Sequence, residues 1–278
     1  MKKLIVLSIL AVSAVAANAQ VLLSGGLSYS QNFDTLASAT VGTTATWTDN
    51  STLAGWYASR AVTATTTSAY GPYAYAAYRI DAGTSTGGTL YSYGVAGVNP
   101  VTDRALGSLS SGTPKTNAIG VSFQNDTASA VDTITISYTG EQWRNGGNTA
   151  VQSLTFSYRI YSPAGAFAAP LDTLPASWTA FSALTFNSPT TGAVAAALDG
   201  NATANQTAFS SILLTGVTLN AGDAIIFRWV DVDDSGSDHG LAVDNFSASF
   251  SVVVVPEPST LALAGLGGLG LSLLRRRR

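Results

Sequence analysis

Leu154-Thr155-Phe156-Ser157-Tyr158-Arg159-Ile160 alternates large apolar residues with polar ones at a period of two. A strand points successive side chains to opposite faces, so this run buries one face and offers the other to water. Ile134, Ile136 and Tyr138, separated by Thr and Ser, carry the same pattern one run earlier. Working outward, strand-like runs cover 181–186, 209–214, 224–230 and 241–255. On the N-terminal side they cover 27–33, 53–59, 73–80, 89–95 and 118–123. Gly71-Pro72, Gly87-Gly88, Asn99-Pro100, Gly146-Gly147 and Asp199-Gly200-Asn201 supply turn chemistry between them. The only helical room in this series is a turn or two over 192–198. Eleven or more antiparallel strands with one buried face each predict an all-β fold, a single large β-sandwich of jelly-roll type.

Both ends of the chain follow other rules. Met1-Lys2-Lys3 is basic, Leu4 to Ala17 is apolar, and Ala17-Asn18-Ala19 has the small-x-small form of a cleavage site. Residues 1–19 therefore read as a signal peptide for signal peptidase, with a mature start at Gln20. At the other end stands Val255-Pro256-Glu257-Pro258-Ser259, then an uncharged stretch to Leu274, then Arg275-Arg276-Arg277-Arg278. The two prolines stiffen the motif into an extended segment that a protease can thread. As a helix, the stretch from Ser259 to Leu274 is about 24 Å long. A hydrocarbon core is about 30 Å thick, so the segment is marginally short and snorkelling Arg side chains make up part of the difference. The Arg cluster orients the helix with its end in the cytoplasm.

These three parts in order resemble the PEP-CTERM sorting signal of exported bacterial proteins. The resemblance implies processing by an exosortase, transient residence in the inner membrane, and association with exopolysaccharide and biofilm. A permanent anchor is the alternative reading of the same segment. The domains expected are 1–19 signal peptide, 20–254 β-sandwich, and 255–278 sorting or anchor segment.

The body between the signals keeps 7 basic and 15 acidic residues, a net charge of about −8. A surface of that sign argues against a nucleic-acid partner. The chain has no cysteine, which excludes disulfides, thiol nucleophiles and sulfur metal sites.

Three segments stand out for their chemistry. They are Gln31-Asn32-Phe33-Asp34-Thr35-Leu36, Thr139-Gly140-Glu141-Gln142-Trp143-Arg144-Asn145, and the stretch from Phe227 to Phe246. Together they resemble exported bacterial β-sandwich domains, a likeness that implies no particular activity. Glu141, Trp143 and Arg144 follow the 134–139 strand. They read either as a sugar platform, with Trp as the stacking ring, or as an ion pair beside a packed Trp in a corner. Asp231, Asp233, Asp234, Asp238 and Asp244 fall in one short stretch with Gly236 and Gly240. Hard oxygen ligands on a loop suit Ca²⁺, although Ala242 stands where an EF-hand needs Glu. The alternative is a solvated acidic turn. Unbroken period 2 from Phe246, Ala248 and Phe250 points Asp244 into the core, to be neutralised by Arg228, His239 or a cation. A bulge at Asp244-Asn245 is the competing account.

No catalytic constellation emerges. His239 is the single histidine, and Glu141 is the body's single Glu. The expectation is a non-enzymatic surface or extracellular-matrix protein, structural or adhesive. A carbohydrate-binding module, Ca²⁺-assisted or not, is the alternative, and a glycan hydrolase a distant third.

Overall fold

The computed structural model describes residues 20–38, 41–62, 72–95, 102–167, 171–173 and 178–252. The segments read as the two terminal signals, Gly71, Asn99-Pro100 and the end of the 241–255 run lie outside the described residues. Seventeen strands and four short 3-10 turns make up the regular structure, with no α-helix among the described residues.

The first strands are β1 (Val21–Leu22), β2 (Ser28–Gln31), β3 (Thr44–Thr46), β4 (Trp56–Ala61) and β5 (Tyr73–Ala74). The middle ones are β6 (Ala77–Asp81), β7 (Thr89–Tyr93), β8 (Ala105–Leu109), β9 (Thr116–Gln124), β10 (Val131–Asn145) and β11 (Ser153–Tyr161). The last are β12 (Thr179–Ala180), β13 (Phe186–Asn187), β14 (Ala196–Ala197), β15 (Gln206–Leu214), β16 (Ala224–Val232) and β17 (Gly240–Val252).

Two sheets result. The first runs β12-β11-β16-β9-β4-β5, with β1 beside β9 and β13 beside β11. The second runs β14-β10-β17-β8-β7-β6-β3, with β15 beside β10 and β2 beside β17. Pairing is antiparallel except for β1 with β9 and β6 with β7, two parallel contacts that the alternation could not reveal.

The inner faces close on one core. Trp229 of the first sheet has ring centroids 5.3 Å from Tyr138 and 5.7 Å from Phe246, both of the second. It also stacks on Trp56 at 6.1 Å and meets Phe156 at 5.2 Å. Burying each such side chain contributes about 1.5–3 kcal/mol, so a core of this kind replaces the disulfides the chain lacks.

Several sequence expectations change in the structure. The 73–80 run divides, because β5 belongs to the first sheet and β6 to the second, and Tyr75-Ala76 is the crossing between them. Tyr75 and Tyr78 consequently both enter the core, while Tyr73 stays exposed. Within 181–186, Ser182–Leu184 coils into a 3-10 turn and only Phe186 reaches a strand. No helix forms over 192–198, where Ala196–Ala197 instead pairs with β10. The 134–139 strand continues through Asn145, so Glu141, Trp143 and Arg144 sit on a strand and not in a corner.

Candidate functional site

The bulge in β17 decides the site. Ser137 pairs with Ser247 but Thr139 pairs with Asp244, so two residues of β17 oppose one of β10. Asn245 takes a φ of 50° to make the step. The side-chain alternation resets there. Leu241 and Val243 therefore share the main core with Phe246, Ala248 and Phe250. Asp244 turns to the outer face of the second sheet, which corrects the inward placement implied by unbroken period 2.

That outer face is not open to water. Register places Asp244 beside Thr139, Ala242 beside Glu141 and Gly107, and Gly107 beside Tyr91. Tyr91, Tyr93, Trp143 and Ala242 pack there as a second apolar cluster. Trp143 stacks on Tyr93 at 6.0 Å, with the rings 2° from parallel. Gly200 lies against the indole so closely that a Cβ on it would meet the ring at 2.3 Å. Three residues of this half of β10 also fasten loops. Gln142 exchanges hydrogen bonds with the Thr190 backbone at 2.7 and 2.8 Å. Arg144 Nη1 donates to the Gly83 carbonyl at 3.1 Å. The Trp143 carbonyl accepts from Leu198 N–H at 2.8 Å. Trp143 is 1% exposed and Glu141 is 2% exposed, so neither presents a surface to a sugar.

The three segments singled out in the sequence meet beneath this cap. Gln31 pairs opposite Phe246, which brings the first segment alongside the third. Asp34 Oδ1 accepts the Arg104 N–H at 3.2 Å. Asp244 is buried and takes both its hydrogen bonds from Asn245, at 2.7 and 2.8 Å. Arg228 does not neutralise it, since that side chain lies on the first sheet and bonds Ser157 at 2.9 Å. Burial pushes Asp244 up to about 8, with the charges of Glu141, Asp103 and Asp34 adding to the effect. Burial likewise raises Glu141 to about 7, opposed by the Trp143 N–H and assisted by Asp103 and Asp199. Buried carboxyl groups that feel one another's charge favour their protonated forms. Asp103 and Asp199 act on them from two loops, and no local sequence pattern marks either one for this influence.

The remaining acidic residues diverge. Asp231 faces inward, accepts Ser108 Oγ at 2.8 Å and is raised by burial to about 7. Asp233 pairs with Lys115 at 2.8 Å, and Asp238 accepts the Asp234 N–H at 2.9 Å. Burial raises Asp238 to about 7 as well. Among the described residues no group of three or more His, Asp or Glu side chains is disposed to hold a metal ion. His239 is fully buried, accepting the Gly146 N–H on Nδ1 at 2.9 Å with Nε2 3.3 Å from the Ala150 carbonyl. That arrangement fits a neutral imidazole serving as a loop clasp.

Residues 254–278 match the PEP-CTERM protein-sorting motif. A PEP-CTERM tail implies processing by an exosortase and export to the cell envelope or surface. No curated protein matches the chain. Among solved structures it has a slight likeness to the enzymatically active domain of bacteriophage CBA120 tailspike protein 4. That match has 10% identity and a TM-score of 0.35, over 71% of this chain and 19% of the tailspike chain. TmCBM61 in complex with β-1,4-galactotriose aligns at 7% identity and a TM-score of 0.26, over 54% of this chain and 72% of its own. Scores this low establish no common fold.

Proposed function

We propose that this chain is an exported precursor whose PEP-CTERM tail delivers a non-enzymatic body to the cell surface or extracellular matrix. Signal peptidase removes residues 1–19. An exosortase then cuts near Val255-Pro256-Glu257-Pro258-Ser259, while Arg275 to Arg278 hold the precursor's end on the cytoplasmic side. The body remains as a structural or adhesive component linked to exopolysaccharide. The observation that carries this reading is the sorting motif at 254–278. The body supports it, because a cysteine-free core built from two sheets needs no redox machinery after export. Glu141 and Asp244, buried carboxyls of the capped face, are each 2% exposed and lie out of a substrate's reach. That burial favours a structural role over hydrolysis.

Fractionation tests the proposal. In a bacterial host with an exosortase, the full chain is expected in the surface and medium fractions, and a chain ending at Val252 is not expected to be retained at the envelope during sorting. Full-length chain found only in the cytosol would overturn it.

A further inference from the structure

Five loops meet at one end of the two sheets and leave a cleft of about 380 Å³ between them. Ser111 comes from the β8–β9 loop, Arg144 from the end of β10, Ala195 from the loop before β14, and Ser237 and Asp238 from the β16–β17 loop. These loops are fastened to one another. The Gly146 N–H donates to His239, and a Cβ on Gly146 would fall 2.1 Å from the Asp238 carbonyl oxygen, so the two turns lie in direct contact. The side-chain amides of Asn148 and Gln152 both donate to the Ser237 carbonyl at 3.1 Å. Loops positioned by a rigid scaffold are where binding residues concentrate.

Two charged groups reach this cleft with bonding capacity left over. Asp238 is 8% exposed, and its Oδ1 accepts the Asp234 N–H at 2.9 Å. Its Oδ2 has no hydrogen bond among the described residues, yet it is not one of the unpartnered polar atoms sealed from solvent. That oxygen is therefore open to the cleft it lines. Arg144 donates through Nη1 to the Gly83 and Thr84 carbonyls at 3.1 and 3.4 Å, which leaves Nε and Nη2 without a hydrogen bond among the described residues. Gly240, opposite Arg144 on β17, makes room for its stem, since a Cβ there would lie 3.1 Å from Arg144 Cβ. No ion pair joins Arg144 to Asp238, so a donor and an acceptor share the cleft without satisfying each other. Asp233 on the same rim is committed to Lys115 at 2.8 Å.

One free carboxylate oxygen beside a guanidinium is a poor seat for a metal cation, which takes about six to eight oxygens. An anion would meet Asp238 and a cation would meet Arg144, a conflict in either case. A neutral molecule with adjacent hydroxyls suits both groups, because one hydroxyl donates while its neighbour accepts. Leu109 and Ala195 offer apolar surface to the C–H atoms between them.

We propose that this cleft binds a neutral sugar residue of a glycan chain, one hydroxyl donating to Asp238 Oδ2 and an adjacent one accepting from Arg144. Of the three residues read in the sequence as a sugar platform, Arg144 alone lines the cleft, beside a member of the acidic stretch. The inference rests on the cleft alone, so it stands or falls independently of the sorting tail.

The test is calorimetric titration of the full chain at about pH 8, where the Asp238 carboxyl, raised to about 7, is ionised. The probes are the β-1,4-linked tetrasaccharides of glucose, mannose and galactose, with tetragalacturonate and a glucosamine tetramer beside them. Saturable binding of at least one neutral sugar is expected. Asp238→Asn should weaken it at least about tenfold, the worth of a hydrogen bond to a charged group. The Asp234 N–H holds the oxygen of the new amide, which turns its NH₂ toward the cleft where an acceptor stood. The melting temperature should not fall, because the bond to Asp234 is kept, and this readout separates a binding role from a packing role. Arg144→Gln should weaken binding by a similar factor. Flat titrations with all three neutral sugars would overturn the proposal, as would unchanged affinity in Asp238→Asn. Binding confined to tetragalacturonate or to the glucosamine tetramer would also overturn it, since recognition would then belong to Arg144 or to Asp238 alone.

Discussion

Trp143 donates its indole N–H to Glu141 Oε2 across 2.9 Å, two residues away on the same face of β10. This bond ties the body's single Glu to the ring that holds the cap over the second sheet. Trp143→Phe keeps an aromatic ring but removes the donor and part of the indole's packing, and it should cost at least about 1–3 kcal/mol. Glu141→Gln keeps an acceptor and removes the charge. It should be more stable than the wild type at about pH 8, with the difference shrinking toward pH 4, where the wild-type carboxyl is protonated in the native state and more than half protonated in the unfolded one. Urea unfolding at the two pH values measures both effects.

The pH dependence of the whole body follows from the same burial. Glu141, Asp231 and Asp238 are raised to about 7, and Asp244 to about 8. Their unfolded values lie near about 4. Between those limits the native state holds more protons than the unfolded one. Stability is therefore complete below about pH 4 and is lost as pH rises through 7 to 8. His239, lowered by burial, acts in the opposite sense below about pH 6.5, but it is one group against four. Urea midpoints should fall from about pH 5 to pH 8, and Asp244→Asn should flatten the upper part of that slope. Curves taken with EDTA and with millimolar Ca²⁺ should superimpose. A separation at high pH would show that a cation, and not a proton, neutralises the pocket.

Gly83 sets the tightest approach in the cap. Its φ is 79°, and a Cβ there would meet the Trp143 carbonyl oxygen at 1.7 Å. Both the left-handed backbone and the collision oppose any side chain. Gly83→Ala should destabilise by clearly more than about 1 kcal/mol. Gly112, with nothing within 4 Å of its virtual Cβ, is the control, and Gly112→Ala should leave the melting temperature nearly unchanged. Thermal melts of the two variants side by side make the comparison.

The strands legible in the sequence are those with one wet face. In β11, Leu154 and Phe156 face the core while Thr155 is exposed, so the period of two is written in polarity. In β8 all five residues from Ala105 to Leu109 are buried, because the cap covers the face that would otherwise meet water, and the alternation disappears. The second half of β10 is obscured for the same reason: Gly140, Glu141, Gln142 and Trp143 are all buried. Their chemistry-rich composition suggested a sugar platform or a corner ion pair, whereas this half of the strand fastens the segments at Gly83, Thr190 and Leu198. The bulge at Asn245 was legible as a conflict between Leu241-Val243 and Phe246-Ala248, both of which required the core. Asp103 and Asp199 were not legible as neighbours of Asp244, since only the tertiary fold brings their loops together.

The intact mass of the protein recovered from the surface of an exosortase-containing bacterium tests the central claim most directly. The account predicts a chain that begins at Gln20 and ends near the Pro256-Glu257-Pro258 motif, without the apolar segment and the four terminal arginines. Recovery of the unprocessed 28.4 kDa chain from the cytosol would contradict it.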